Sequence, residues 1–251
     1  MEPNKIVSQE EWVAARKELL REEKEFTRLR DRISQKRRDL PWVRVDKPYV
    51  FQGPTGKETL PQLFEGRSQL VIYHFMYGPD SGTPCKSCSF WADNFERNVV
   101  HLNHRDVTMI AISRAPLEQL EAFKRRMGWT FKWVSSAGSD FNVDFQVSAT
   151  PEQLAKGEAY YNYAMQKVKA LAPERGDYIA SGWPRERPGI SVFYRDAGDT
   201  VFHTYSCYSR GLDMMNAAYH YLDLVPKGRD EGGRGMAWLR YRDSYEDEVK
   251  R

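Results

Sequence analysis

Two thiols spaced for chemistry stand near the first third of the chain: Cys85 and Cys88, in the order C-x-x-C. This spacing admits three chemistries. The pair can cycle between dithiol and disulfide, it can supply half of a zinc site, or it can be two buried side chains with no reaction between them. A redox role needs one sulfur held as thiolate and the other within reach of the mixed disulfide that the first one makes. The remaining candidate ligands are scattered: His74, His101, His104, His203 and a third thiol, Cys207.

The segments around the pair decide which chemistry is expected. Leu70 to Met76 is a short apolar run that reads as a buried strand. Gly78, Pro79, Ser81, Gly82 and Pro84 make a turn-rich loop. After the thiols, Trp91, Phe95, Val99 and Leu102 recur at steps of 4, 4 and 3, which reads as one helix. The thiols therefore fall where a strand hands over to a helix. The first helical turn carries unpaired N–H groups and a partial positive charge, and both favour a thiolate. Cys85, with Lys86 beside it, is expected to be the attacking thiolate, and Cys88, one turn in, the shielded resolving thiol.

Metal binding is the alternative. Cys85, Cys88, His101 and His104 have a finger-like spacing, but a continuous helix from Cys88 to His101 separates those two by about 20 Å. Zinc or another transition metal would instead need Cys85, Cys88 and a distant histidine, with His203 the best candidate and His74 the next. Each of these is expected to be a core histidine with its hydrogen bonds met, and Cys207 a small buried side chain. His101 and His104 are expected to end the helix. No Gly-x-Gly-x-x-Gly follows a strand, so no nicotinamide, flavin or other organic cofactor is indicated.

The chain has 251 residues, of which 41% are hydrophobic and 13% aromatic, enough for one large domain with extensions. A net charge of +3 points away from a nucleic-acid partner. No apolar run approaches the ~20 residues of a membrane span, and the first residues lack a secretory pattern, so a cytoplasmic protein is expected. Residues 1–39 form a helical arm: Ser8 and Glu11 make a capping box, and Trp12, Leu19, Phe26 and Ile33 recur at seven-residue steps. This stripe leaves a homodimer through the arm open, and with it a third reading of the chain as a non-catalytic interaction module in which the arm matters more than the thiols. Residues 40–225 form the main domain. In it, strands around 40–46 and 49–52 precede the thiols, Asp106 to Ser113 gives a parallel strand, and Leu117 to Met127 a helix capped by Gly128.

Residues 129–187, crowded with Trp129, Phe131, Trp133, Phe141, Phe145, Tyr160, Tyr161, Tyr163, Tyr178 and Trp183, read as an insertion beside the sheet near the thiols, which either forms a substrate pocket or covers extra core. Asp140 and Asp144 within it are expected to face solvent. A hairpin follows over Ile190 to Ser206, then a helix from Gly211 to Leu222. Residues 226–251 are expected to be an irregular, solvated tail, with Lys227, Arg229 and Arg234 free to meet an anion.

With these elements in place the chain resembles the thioredoxin-like family catalogued as domain of unknown function 899, identified as dithiol–disulfide oxidoreductases. The resemblance rests on DLPWVRVDKPYVF, LFEGRSQLVIYHFMYGPD, PCKSCSFWADNF, HLNHRDVTMIAISRAP, VFHTYSCYSRGLD and LDLVPKGRDE, which span roughly residues 39–231. It implies an α/β, thioredoxin-like fold of the peroxiredoxin branch, a sheet flanked by helices. It implies Cys85 and Cys88 as the redox pair, acting on a protein or small-molecule disulfide or thiol. Pro188, just before a strand, takes the place of the cis proline that faces the disulfide in such folds, where it would shape a substrate groove. The pair encloses Lys86-Ser87 rather than the Gly-Pro of thioredoxin, which leaves the direction of transfer open. Pro79 and Thr83 keep the mutual spacing of the peroxiredoxin motif, but Cys85 falls one residue short of it, which disfavours a peroxidase.

Overall fold

The computed structural model describes residues 4–167 and 185–245. The chain divides into two compact units, Met1–Trp42 and Val43–Arg251. The first is one helix, α1 (Gln9–Arg38). Its start follows from the capping box: Ser8 Oγ accepts from the Glu11 N–H at 3.2 Å, and the Glu11 carboxylate accepts from the Ser8 N–H at 3.0 Å. Acidic residues fill its first turn and Lys36, Arg37 and Arg38 its last, as the helix dipole favours. No residue of α1 is buried, and Trp12, Leu19, Phe26, Leu29 and Ile33 are exposed.

The second unit runs β1 (Val43–Arg44), β2 (Val50–Gly53), β3 (Gly56–Thr59), β4 (Gln69–His74), α2 (Lys86–Phe95), α3 (Val99–Asn103), β5 (Val107–Ser113), α4 (Leu117–Met127), β6 (Lys132–Ser135) and α5 (Phe141–Asp144). It continues with α6 (Pro151–Lys156), β7 (Glu158–Tyr161), β8 (Ala164–Lys167), β9 (Gly189–Arg195), β10 (Val201–Tyr208) and α7 (Ala217–Leu222). Eight strands form one sheet in the order β1-β10-β9-β4-β5-β6-β2-β3, and β7-β8 is a separate hairpin. β4, β5 and β6 are parallel, while β9 is antiparallel to β4 and β10 to β9. This is a thioredoxin-like sheet flanked by helices, as expected.

Alternation along the central strands splits the core in two. On one face Tyr73, Phe75, Ala111, Trp133 and Ile190 meet Trp91 and Phe95 of α2 and Leu120 and Met127 of α4. On the other, Leu70, Ile72, Ile110 and Phe193 meet Phe64, Phe141 and Phe145. Each large side chain so buried contributes roughly 1.5–3 kcal/mol. These fully covered faces are why β4 and β5 read as unbroken apolar runs.

Several expectations need correction. The helix after the thiols is not continuous: it tightens into a 3-10 turn at Glu96–Asn98 before α3. No Gly or Pro causes this. Asn94 and Asn98 donate their side-chain amides back to the Phe90 and Asn94 carbonyls, at 2.6 and 3.1 Å, competing with the helix ladder. The region from 129 is not one insertion, because Lys132–Ser135 is a strand of the main sheet and Trp133 lies at the centre of the core. Tyr178 and Trp183 lie outside the described residues. Asp140 and Asp144 are exposed, as expected, and share the Lys47 ammonium, at 2.8 and 2.7 Å, while Asp144 also accepts from Tyr49 Oη. The last helix is shorter than expected, with a 3-10 stretch at Ser209–Met215 before α7.

The tail is also not simply solvated. Arg229 grips Asp223 at 2.8 Å and lies 4.0 Å from the Tyr219 ring centre, and Leu239 and Tyr241 are buried. Among the described residues no helix is long and apolar enough to cross a membrane.

Candidate active site: a buried dithiol at a strand-to-helix turn

After β4 the chain stays pinned to the sheet. The Phe75 N–H donates to the Ile112 carbonyl at 2.9 Å, and the Ala115 N–H to the Tyr77 carbonyl at 2.8 Å. Gly78 to Ser81 then turns, with Ser81 Oγ accepting from the Gly78 N–H. The loop closes on its own start: the Cys85 N–H donates to the Met76 carbonyl at 3.2 Å, and the Met76 N–H donates to Cys88 Sγ at 3.4 Å. Met76 thus clamps both cysteines at the carboxyl end of β4, the edge where open α/β sheets place their sites.

Cys85 is the N-cap of α2, with extended φ/ψ of −65° and 124°. Its Sγ accepts from the Cys88 N–H at 3.3 Å and lies 3.0 Å from Ser87 Oγ. Burial pushes the Cys85 thiol up, but hydrogen bonds from Cys88 and Ser87 outweigh it and hold the group below the usual thiol range. Those bonds, rather than Lys86, set the shift. Burial pushes Cys88 well above that range, and the hydrogen bond to Cys85 and its charge push the same way. The two thiols are therefore shifted in opposite directions.

The two sulfurs have different surroundings. Both cysteines are buried. The C-terminal segment closes the Cys85 side, where the Tyr241 hydroxyl donates to the Pro84 carbonyl at 2.5 Å. Burial pushes the Tyr241 phenol up, and the nearby Cys85 charge adds to that. The segment is held by Arg126 to Asp243 at 2.7 Å, by Arg242 to Asp93 at 3.4 Å, and by Phe123 against Tyr241 with ring centres 5.2 Å apart. Cys88 instead lines a cavity of about 290 Å³ with Tyr73, Ser87, Trp91, Arg187 and Pro188. Cys88 is shielded as expected, at 1% exposed, and Cys85 is shielded as well, at 4%.

Pro188 lines the same cavity as Cys88, but the peptide bond before it is trans rather than cis, and no described peptide bond is cis. Gly189 follows it because β9 and β10 pass too close there for a side chain: a Cβ would lie 2.7 Å from the Tyr208 ring. Tyr161 Oη donates to the Pro188 carbonyl at 2.8 Å, accepts from the Ser209 N–H at 3.0 Å, and carries Arg187 over its ring at 5.0 Å. Arg187 and Tyr241 are site residues that the sequence reading missed, whereas Tyr161 belongs to the aromatic group that it offered as a pocket. For Arg187 the signal was its place next to Pro188; Tyr241 had none.

His203 is not brought to the thiols. It lies on the far face against Phe145 and Phe193 and ends a chain of hydrogen bonds. His74 Nε2 is 2.8 Å from Ser191 Oγ, which is 2.8 Å from Ser206 Oγ, which is 2.7 Å from His203 Nε2. Both histidines are held below their usual range by burial, His74 down to about 3. Among the described residues no three His, Cys, Asp or Glu side chains cluster as metal ligands would. Cys207 is buried on the thiol face, opposite Ile190.

The family described as bacterial protein of unknown function (DUF899) matches residues 1–245. No curated protein matches the chain. Among solved structures, peroxiredoxin Q of Xanthomonas campestris is 14% identical, over 73% of this chain and 98% of that one, with a TM-score of 0.43. Peroxidoxin BcpB of Mycobacterium tuberculosis is 14% identical, over 71% and 94%, with a TM-score of 0.39. A yeast mitochondrial 1-Cys peroxiredoxin is 15% identical, over 72% and 78%, with a TM-score of 0.33.

Proposed function

The chain belongs to the family of bacterial proteins of unknown function DUF899, and for this member we propose dithiol–disulfide exchange through Cys85 and Cys88. The observation that carries the reading is the unequal pair: Cys85 Sγ accepts from the Cys88 N–H at the start of α2 and is held below the ordinary thiol range, while its neighbour is held above it. The surroundings favour the thiolate at one sulfur and the thiol at the other, and both sit on one helical turn. That is the state from which a dithiol can give two electrons.

In that direction one cysteine sulfur displaces half of a substrate disulfide and the other displaces the remainder. A Cys85–Cys88 disulfide and two substrate thiols result. The reverse sequence oxidises a substrate dithiol. The amide donors at the helix start stabilise the thiolate in both directions and so favour the reduced enzyme.

The test is an alkylation and mass titration of the whole protein across dithiol redox buffers. A reversible two-electron transition joining Cys85 and Cys88, near roughly −180 to −270 mV, is the expected result. Thiols that resist every buffer, with or without a chelator, would sink the reading.

A further inference from the structure

We propose that α1 is the dimerisation arm of this protein and pairs, antiparallel, with α1 of a second copy. This does not depend on the dithiol reading. α1 runs unbroken for 30 residues, so its seven-residue steps hold one line along the whole helix. Trp12, Leu19, Phe26 and Ile33 lie on that line, and Ala15, Glu22 and Leu29 on a second line three residues further on. Phe26 is 67% exposed and Trp12 54%, and Leu19, Leu29 and Ile33 are exposed with them. Over two copies the surface that these five leave open comes to roughly 1,000 Å², the size at which a specific interface begins. Among the described residues α1 is the only element of its compact unit, so nothing within that unit covers the stripe.

Charge selects the occupant and its direction. Residues 9–25 carry six acidic and four basic side chains, whereas residues 26–38 carry one acidic and six basic. The helix is thus its own complement once reversed: two antiparallel copies set each acidic-leaning half against a basic one. Parallel copies would set the two basic halves together and would meet Glu22 to Glu22 in the seam, where like charges repel. A symmetric pair also makes each contact twice, because the same surface serves both copies.

Size and sign then set the register. With Trp12 opposite the partner's Leu29, Phe26 falls opposite the partner's Ala15, so the largest side chains meet smaller ones. Arg16 comes beside the partner's Glu23, extending the 2.7 Å pair that these two residues make along their own helix. Arg32 comes near the partner's Glu11, whose Oε1 the capping box does not use. Glu18 comes near the partner's Glu25, but Glu18 is already paired with Arg21. Glu22 faces the partner's Leu19 and is the one mismatch in the seam.

Sedimentation equilibrium of the full-length protein is expected to give twice the chain mass at micromolar concentration. Phe26→Asp puts a carboxylate into the seam from each copy and should raise the dissociation constant about a hundredfold or more. Leu29→Asp is the second variant, should the first fail to fold. Glu22→Leu should lower the constant about tenfold. Direction is read with a short bis-maleimide: Arg16→Cys mixed with Glu23→Cys is joined between chains at those positions, as located by peptide mass, and Arg16→Cys alone is not. A wild type of one chain mass throughout the micromolar range overturns the proposal, whether the stripe then meets the rest of its own chain or another protein. So does a dimer that folded Phe26→Asp and Leu29→Asp proteins keep, or a link formed by Arg16→Cys alone.

Discussion

Tyr73 and His74 are neighbours at the end of β4 and serve opposite faces of the sheet. Under Tyr73 lie two buried thiols shifted in opposite directions, one beside the C-terminal segment and one facing a cavity. Under His74 lies a chain of two histidines and two serines, each bonded to the next and packed among phenyl rings. Both sets contain residue types capable of nucleophilic or acid–base chemistry. They differ in what stabilises charge. The thiols have the free N–H groups of a helix start. The histidines have only hydroxyls and aromatic walls, and burial keeps them neutral. The comparison teaches that a reactive group needs charge stabilisation as well as a partner.

The largest effects test whether the two faces are independent. Cys85→Ser and Cys88→Ser are each expected to abolish the two-electron transition, while His74→Asn keeps it. A His74→Asn protein that lost the transition would break the comparison.

The next effect separates the two sides of the thiol face. Tyr241→Ala removes a buried ring and the bond to Pro84. It should cost about 3 kcal/mol in denaturant unfolding and raise iodoacetamide labelling of Cys85 tenfold or more. Tyr241→Phe loses only the hydroxyl bond, about 1 kcal/mol, and keeps Cys85 closed. Equal gains at Cys88 would mean that the segment does not guard one thiol in particular.

The two faces were not equally legible. The C-x-x-C, the apolar run before it and the helical pattern after it lie within about thirty residues, so local signals placed the dithiol. Other parts of the site depend on distant chain. Tyr241 meets Pro84 across 157 residues, and neither residue type announces the contact. The histidine chain joins β4, β9 and β10, and the sequence showed only that His74 and His203 lie on strands. Trp129, Phe131 and Trp133 did carry a strand signal, an aromatic at every second residue. The crowding of aromatics beyond them masked it. Asn94 and Asn98 broke the helix by bonding backward, an effect that apolar periodicity does not register.

Acid sensitivity belongs to the far face. His74 is held at about 3 and stays neutral when folded, whereas in the unfolded chain it titrates near 6.5. Below about pH 6.5 the unfolded state therefore binds a proton that the folded state refuses, and stability falls as pH falls. His203 adds to this in the same direction. The expected loss is on the order of 1 kcal/mol per pH unit from His74, read from urea midpoints between pH 7 and pH 5. His74→Asn should flatten that slope. If it does not, the acid response comes from elsewhere in the molecule.

The smallest effects compare one substitution made on both faces. Ser87 Oγ lies 3.0 Å from Cys85 Sγ and helps to hold the thiolate. Ser87→Ala removes one donor from a charge and leaves a group that the Cys88 N–H still serves. The midpoint of the Cys85 alkylation profile against pH should rise by about one unit or less, with little change in unfolding. Ser191 Oγ stands between His74 and Ser206, each within 2.8 Å. Ser191→Ala strands the buried His74 Nε2 and leaves Ser206 Oγ with His203, so stability should fall by about 1–3 kcal/mol, and the alkylation profile should not move. If Ser87→Ala cost stability and left the profile alone, the thiol face would be a packed polar cluster like the other.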